Sequence, residues 1–207
     1  MSVEKIFDAV LDFEEDDVVA LVKKEITAGT DVAKILNEGL IGAMDEVGKQ
    51  FSAGILFVPE MLMAAQAMKA GLDELKPHLA KGASATRGTV IIGTVKGDLH
   101  DIGKNLVAMI MEGAGFEVFD VGMDVDVEKF LSAAKEKNAN IIAMSALLTT
   151  TMPAMEEVVK AIRAQGLSIK TLVGGAPVTP AFAQKIGADA YCEDAPAAVE
   201  AARSFVA

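Results

Sequence analysis

The chain has 207 residues, of which 52% are hydrophobic and 24% are charged, so it can bury a globular core and lacks the composition typical of disordered proteins. The 30 acidic residues against 19 basic ones give a formal charge of −11, which argues against binding to a nucleic-acid backbone. A single cysteine and two histidines exclude an internal disulfide and a multi-cysteine metal site.

The N-terminal segment does not resemble a signal peptide. It contains acidic residues from Glu4 onward and no basic start followed by an apolar run. The sequence also lacks a stretch of about 18 apolar residues, so no membrane span is expected. The expected location of the protein is therefore the cytoplasm.

Residues 1–82 are predicted to form a helical domain. Two short amphipathic segments lie near 3–12 and 15–28. A third helix follows Thr30, a residue type that caps helix N-termini, and its apolar residues recur at steps of three and four. A fourth begins near Pro59, since proline is favoured in a first turn. Four helices joined by short loops predict a small antiparallel bundle.

The sequence pattern changes after residues 83–88, which we interpret as a linker. From residue 89 to residue 207, apolar β-rich runs alternate about five times with helix-like stretches; the runs lie at 89–95, 117–121, 140–145, 169–174 and 189–192. This alternation predicts an α/β fold, a doubly wound (flavodoxin- or Rossmann-like) five-stranded parallel sheet. Such sheets bind ligands outside the C-terminal ends of their strands.

Unusual residues follow the first predicted strand. His100 lies in this loop, with Asp98 two residues before it. A carboxylate so placed can accept a hydrogen bond from one ring nitrogen and leave the other free as a metal ligand or base. A single histidine suits a metal already held by an organic macrocycle, which needs only an axial ligand. The alternative is that Asp98 caps the next helix and His100 is an ordinary loop residue.

The sequence resembles the cobalamin-binding corrinoid proteins of methyltransferase systems, including the cobalamin module of methionine synthase. The segments 44–51 and 57–60 are similar to the helical cap module that precedes the corrinoid domain in that family. Three short motifs in the family's order and spacing carry the rest of the resemblance: Asp98-x-His100-x-x-Gly103, Ser145-x-Leu147 and Gly174-Gly175.

The resemblance implies that the cofactor is cobalamin or a related corrinoid, with His100 as the axial ligand of its cobalt. Asp98 would form a hydrogen bond with His100, and the hydroxyl of Thr151 would form the next hydrogen bond, with Asp98. The nucleotide base that His100 replaces would lie as a tail in a slot of the sheet domain. Phe51 and Val58 match cap positions over the upper face of the corrin. The implied cofactor-binding residues are Gly97, Asp98, Leu99, His100, Asp101, Ile102, Gly103, Ser145, Leu147, Thr149, Gly174, Gly175, Tyr191 and Ala195.

The implied function is that of a methyl-group carrier without a catalytic residue independent of the cofactor. It would accept a methyl group on cobalt from a substrate-specific methyltransferase and pass it to an acceptor methyltransferase that serves a thiol or a tetrahydrofolate-type molecule. A reductive activation protein would be a third partner; no nucleic-acid or membrane partner is expected. The alternatives are a cobalamin-dependent sensor or regulator, the small subunit of a carbon-skeleton mutase, and a flavodoxin-like domain that binds no corrinoid.

Overall fold

The computed structural model describes residues 3–78 and 86–206, which form two compact units. The chain passes from the first unit to the second between residues 86 and 87, and residues 112–115 group with the first unit. Residues 79–82 of the predicted helical domain and 83–85 of the predicted linker lie outside the described residues. The first unit is helical and the second is a doubly wound α/β unit, which confirms the predicted fold class. Within the described ranges, no helix is long and apolar enough to cross a membrane.

The helices of the first unit follow the amphipathic pattern of the sequence. The third predicted helix is one continuous helical segment, with seven residues of π-helix at its centre. The elements are α1 (Val3–Leu11), α2 (Glu15–Thr27), α3 (Val32–Lys34), the π-helix (Ile35–Ile41), α4 (Gly42–Ser52), α5 (Val58–Leu75) and a 3₁₀ turn (Lys76–His78). Apolar residues from all four helical segments are fully buried, among them Ile6, Val22, Leu40 and Met68.

The N-terminus of α3 uses a different cap from the one predicted. The side chain of Asp31, one residue after Thr30, accepts a hydrogen bond from the Ala33 amide at 3.2 Å and caps α3. The Thr30 hydroxyl instead donates to Glu25 at 2.6 Å. Aspartate and threonine are both good N-caps, so residue type alone does not show whether Thr30 or Asp31 caps the helix. Pro59 does lie in the first turn of α5.

The second unit is a five-stranded parallel sheet in the order β2-β1-β3-β4-β5. Its strands are β1 (Thr89–Thr94), β2 (Glu117–Asp120), β3 (Ile141–Ser145), β4 (Lys170–Gly174) and β5 (Ala190–Cys192), and its helices are α6 (Ile102–Gly113), α7 (Val127–Glu136), α8 (Pro153–Ala164), α9 (Pro180–Ile186) and α10 (Ala195–Val206). The strand order reverses between β1 and β3, where Thr94 pairs with Ser145. The loops after these two strands therefore flank the crevice where doubly wound sheets bind ligands.

The two faces of the sheet are filled differently. Strand side chains alternate between faces, so Ile91 and Ile142 join Phe130 of α7 and Met155 of α8 in a buried core on one face. On the other face, the neighbouring strand residues line a cavity. The face under α6 and α10 is consequently the one that leaves space for a ligand.

Candidate functional site

The loop between β1 and α6 holds His100 through backbone hydrogen bonds. The buried Thr94 hydroxyl, at the end of β1, donates to the His100 carbonyl at 2.9 Å. The Asp124 carboxylate accepts from the Gly97 amide at 2.8 Å, and the Asp124 amide donates to the Asp98 carbonyl at 3.0 Å. The loop is thus fixed from β1 and from the loop after β2. The contacts of Thr94 and Asp124 could not be predicted from the sequence, because both depend on tertiary structure.

Asp98 is fully buried beside the loop after β3. Its Oδ2 accepts hydrogen bonds from the Thr151 hydroxyl at 2.7 Å and from the amides of Leu147 and Leu148 at 2.7 and 3.2 Å. Its Oδ1 accepts from the His100 Nδ1 at 2.7 Å and from the His100 amide at 3.1 Å. The structure therefore brings together the predicted Asp98, His100 and Thr151, and it adds three backbone donors, the amides of His100, Leu147 and Leu148.

The charge state of Asp98 decides which nitrogen of His100 is available. Burial opposes ionisation of Asp98, but the hydrogen bonds from Thr151, His100 and the Leu147 amide outweigh it and hold the pKa of the carboxyl well below its usual range. An ionised carboxylate can only accept hydrogen bonds, so Nδ1 of His100 carries the proton. A neutral ring then offers the lone pair of Nε2, the form in which histidine binds a metal.

Space and apolar surface surround the His100 ring. Its side chain is 52% exposed, and it lines a cavity of about 390 Å³ together with the segment from Leu99 to Gly103 and with Ser145, Leu147, Gly175 and Ala176. Three apolar residues that line this cavity are exposed, Leu99 at 69%, Ile102 at 86% and Leu147 at 44%, and exposed apolar residues that cluster in this way mark ligand-binding surfaces. No group of three or more possible metal ligands exists among the described residues. A single nitrogen ligand set in apolar surface suits a metal carried by a macrocycle.

A second cavity, which we call the tail slot, lies under α6 and α10. It measures about 240 Å³, and its lining is mostly apolar, with Ile92, Leu106, Val107, Ala143, Leu172 and Ala195 among its wall residues. It shares Gly103, Ser145 and Gly175 with the cavity around His100, so the two spaces adjoin. A side chain at Gly103 would meet no protein atom within 4 Å. The absence of that side chain leaves open space where the two cavities meet.

The two glycines after β4 are required by the protein's own backbone. A Cβ at Gly174 would lie 2.8 Å from the Cys192 carbonyl oxygen. Gly175 has φ +124°, in the region that favours glycine, and a Cβ there would overlap the Ala146 carbonyl oxygen. The resemblance implies that these glycines bind the cofactor, where a side chain would collide with its tail. The structure shows that it would first collide with neighbouring strand ends.

Several other predicted site residues lie on the two cavities. Ser145 and Ala195 line the tail slot, whereas Leu99, Asp101, Ile102 and Leu147 line the cavity around His100. Thr149 is exposed and is not among the residues lining either cavity. Gly97 acts through the loop conformation, with φ +82°. Phe51 and Val58 are half-buried within the first unit.

Tyr191 is placed differently from the prediction. It packs against the core on the sheet face opposite the tail slot. The next residue, Cys192, lines the slot instead. The reason is the two-residue period of a strand, which sends neighbouring side chains to opposite faces. Lys104, which flanks the predicted motif around His100, also lines the slot. Sequence reasoning missed Asp124 as a support of the loop.

Comparisons with known proteins agree with this site. Residues 88–203 match the family model of a B12 binding domain, and residues 2–76 match a second model described as a B12 binding domain. The chain belongs to the B12-binding corrinoid protein family. It is 44% identical over 207 residues to dimethylamine corrinoid protein 1 of Methanosarcina acetivorans, covering 99% of this chain and 97% of that relative. It is 43% identical to trimethylamine corrinoid protein 1 of the same organism, covering 99% and 96%.

Two solved structures resemble the corrinoid protein along nearly its whole length. One is the methanol:cobalamin methyltransferase complex MtaBC from Methanosarcina barkeri, with a TM-score of 0.86 at 33% identity, covering 99% of this chain and 79% of that chain. The other is a cobalamin-binding protein from Desulfitobacterium hafniense DCB-2, with a TM-score of 0.78 at 32% identity, covering 99% and 98%. The prediction that this chain is a corrinoid protein of methyltransferase systems is confirmed. Its cofactor is cobalamin or a related corrinoid.

The described residues fit a corrinoid. His100 offers one unprotonated nitrogen and is fixed by a buried anion. Apolar side chains line the cavity that contains the His100 ring, and a mostly apolar slot adjoins that cavity. His100 would hold the cobalt, the segment from Leu99 to Gly103 would contact the ring, and the tail slot would take the nucleotide tail.

Proposed function

We propose that this protein carries a methyl group between two methyltransferases on a corrinoid bound in the base-off, His-on form. In this form, His100 would hold the cobalt and the tail slot would take the cofactor's own base. The observation that supports this proposal most is the hydrogen bonding of the His100 ring. Its Nδ1 is hydrogen-bonded to the buried, ionised Asp98, and no described protein group is hydrogen-bonded to its Nε2. When bound, the corrinoid supplies a cobalt that accepts and releases the methyl group.

The residues around His100 can hold the ring in two protonation states. With Nε2 on the metal, the ionised Asp98 keeps the proton on Nδ1 and fixes the ring orientation. In the absence of the metal, the same carboxylate, 2.7 Å from Nδ1, would stabilise a ring that carries a proton on both nitrogens. Thr151 and the two backbone amides keep Asp98 ionised in both states. Ligation and protonation of His100 would thus be coupled through one carboxylate.

The proposed partners follow from the relatives. The names of the similar proteins include a methanol:cobalamin methyltransferase complex and corrinoid proteins for dimethylamine and trimethylamine. These names support a substrate-specific methyltransferase as the donor partner. An acceptor methyltransferase and a reductive activation protein complete the proposed system.

We also propose a role for each part of the chain. Residues 89–207 bind the corrinoid, and residues 1–82 form a cap that residues 83–88 join to them. Phe51 and Val58 of the cap shield the methyl-bearing face from water.

The test is the visible absorption spectrum of the protein after incubation with hydroxocobalamin and desalting. Wild type should retain a corrin spectrum. His100→Ala should show a changed spectrum and at least about tenfold weaker retention, because the protein ligand to cobalt is gone. The matched control is His78→Ala, which removes the other histidine, an exposed residue of the 3₁₀ turn.

The His78→Ala protein should behave like wild type. A colourless wild-type protein after desalting would reject the corrinoid carrier. A corrin spectrum that is the same in wild type and His100→Ala would reject the His-on form while leaving corrinoid binding intact.

A further inference from the structure

Lys104, in the first turn of α6, is a buried lysine that the proposed mechanism does not use. Its side chain is only 1% exposed. Its Nζ donates to the Asn105 side chain at 2.6 Å and forms an ion pair with Asp120 at the end of β2. A buried ammonium needs such partners, because its desolvation is costly. The ion pair with Asp120 explains why the cation is tolerated in the interior.

The ion pair is asymmetric with respect to the tail slot. Lys104 is one of the residues lining the slot, whereas Asp120 is not among them. The Asp120 side chain is 41% exposed, so water screens the carboxylate far more than it screens the buried ammonium. The effective dielectric constant is lower in the interior, and the field of Lys104 therefore reaches the slot more strongly than that of Asp120. The pair gives the α6 side of the slot a positive potential.

The other charged residues of the slot have the opposite sign. Glu193 and Asp194 line it between β5 and α10. Lys104 is the single basic residue among the described residues that line the slot. An anionic group entering this otherwise apolar space would be favoured beside α6 and opposed beside α10.

We infer that Lys104 makes the tail slot selective for a corrinoid whose tail carries an anionic phosphodiester. The inference rests on the proposed base-off binding, which places the tail in the slot. In this view, Lys104 is a specificity residue that acts through its charge, and it has no part in holding cobalt. Removal of the charge should weaken binding of the tail while leaving the contacts around His100 intact.

The experiment compares two ligands by equilibrium dialysis with detection of corrin absorbance. Hydroxocobalamin carries the nucleotide tail with its phosphodiester, and diaquacobinamide lacks that tail. The measured quantity is tail selectivity, the Kd for diaquacobinamide divided by the Kd for hydroxocobalamin. Lys104→Met keeps much of the side-chain length without the charge and should lower tail selectivity about tenfold, the size of a charge-assisted interaction. Lys160→Met, which removes an exposed lysine paired with Glu156 on α8, should leave it unchanged.

Asp120→Asn is the second variant and has the opposite predicted sign. It removes the counter-charge and keeps the Lys104 cation, so tail selectivity should rise above that of wild type. If the ion pair between Lys104 and Asp120 only stabilises the fold, both variants should instead weaken binding of both ligands equally. Unchanged selectivity in either variant, or a fall in both, would overturn the inference; if Lys104→Met does not fold, Asp120→Asn alone decides. Failure of wild type to bind either corrinoid would instead reject the proposed function.

Discussion

The carboxylate of Asp98 shows how a single residue joins two loops of the site. One oxygen accepts from the loop after β1 and the other from the loop after β3. Because all of these donors are directed at one buried anion, removal of the carboxylate by Asp98→Ala would leave the Thr151 hydroxyl and the backbone amides without their acceptor, at about 1–3 kcal/mol for each donor that stays buried. Asp98 therefore fixes the protonated nitrogen of His100 and also the relative position of the two loops.

Cys192 gives a prediction at the same scale. Burial, together with the charge of Asp194, raises the pKa of its thiol to about 11, from an ordinary value of 9.0. At pH 8 the folded protein should then form about a hundredfold less thiolate than the unfolded chain, because each pKa unit is a factor of ten. The thiolate is the reactive form, so iodoacetamide should label the native protein far more slowly than the protein in denaturant.

The pH dependence checks the cause of that slow labelling. The labelling rate of the unfolded chain should level off above about pH 9, whereas the rate of the native protein should keep rising toward about pH 11. The measurement is the labelled fraction over time by mass spectrometry, and the sequence holds one cysteine, so assignment is direct. Equal rates for native and unfolded protein at pH 8 would contradict the buried, neutral thiol.

At the scale of elements, the ends of the strands depend on close backbone packing. Gly175 has φ +124°, and its missing side chain makes room for the Ala146 carbonyl after β3. Gly175→Ala should therefore separate the ends of β3 and β4 and lower the free energy of unfolding by more than the roughly 1–3 kcal/mol of backbone strain alone. It should also weaken corrinoid retention, since Gly175 lines both cavities.

The control for backbone strain is Gly122→Ala. Gly122 also has a positive φ, of +92°, but a Cβ there would meet nothing within 4 Å. The measurement is the free energy of unfolding of the two variants in urea. The difference between their losses is the steric contribution at Gly175. Equal losses of stability in both variants would show that strain alone matters and that the close approach to Ala146 is not limiting.

The sequence predicted the elements better than it predicted the contacts between them. Helix periodicity, β-rich runs and the positions of strand ends follow from local pattern, and the motif around His100 lies where a doubly wound sheet binds ligands. The side of the sheet to which each residue of the short β5 points was not predictable, so Tyr191 was assigned in place of Cys192. The hydrogen bond from Thr94 to His100 and the choice of Asp31 as a cap depend on three-dimensional packing.

At the scale of the whole molecule, the two units have separate cores. The first buries Ile6, Val22, Leu40 and other apolar residues of its helices, and the second has its own core around Ile91 and Phe130. Every residue that lines the tail slot or the cavity around His100 belongs to the second unit. Binding of the corrinoid should therefore depend on residues from 87 onward.

A fragment of residues 87–207 tests this division of roles. Because its sheet, core and both cavities are complete, it should fold and keep a corrin spectrum through desalting after incubation with hydroxocobalamin. A fragment of residues 1–86 lacks His100 and should remain colourless. Circular dichroism establishes that each fragment is folded before the spectra are compared. A folded but colourless 87–207 fragment would show that the helical unit is needed for retention of the corrinoid, whereas a coloured one would limit that unit's role to the cofactor's reactivity and partners.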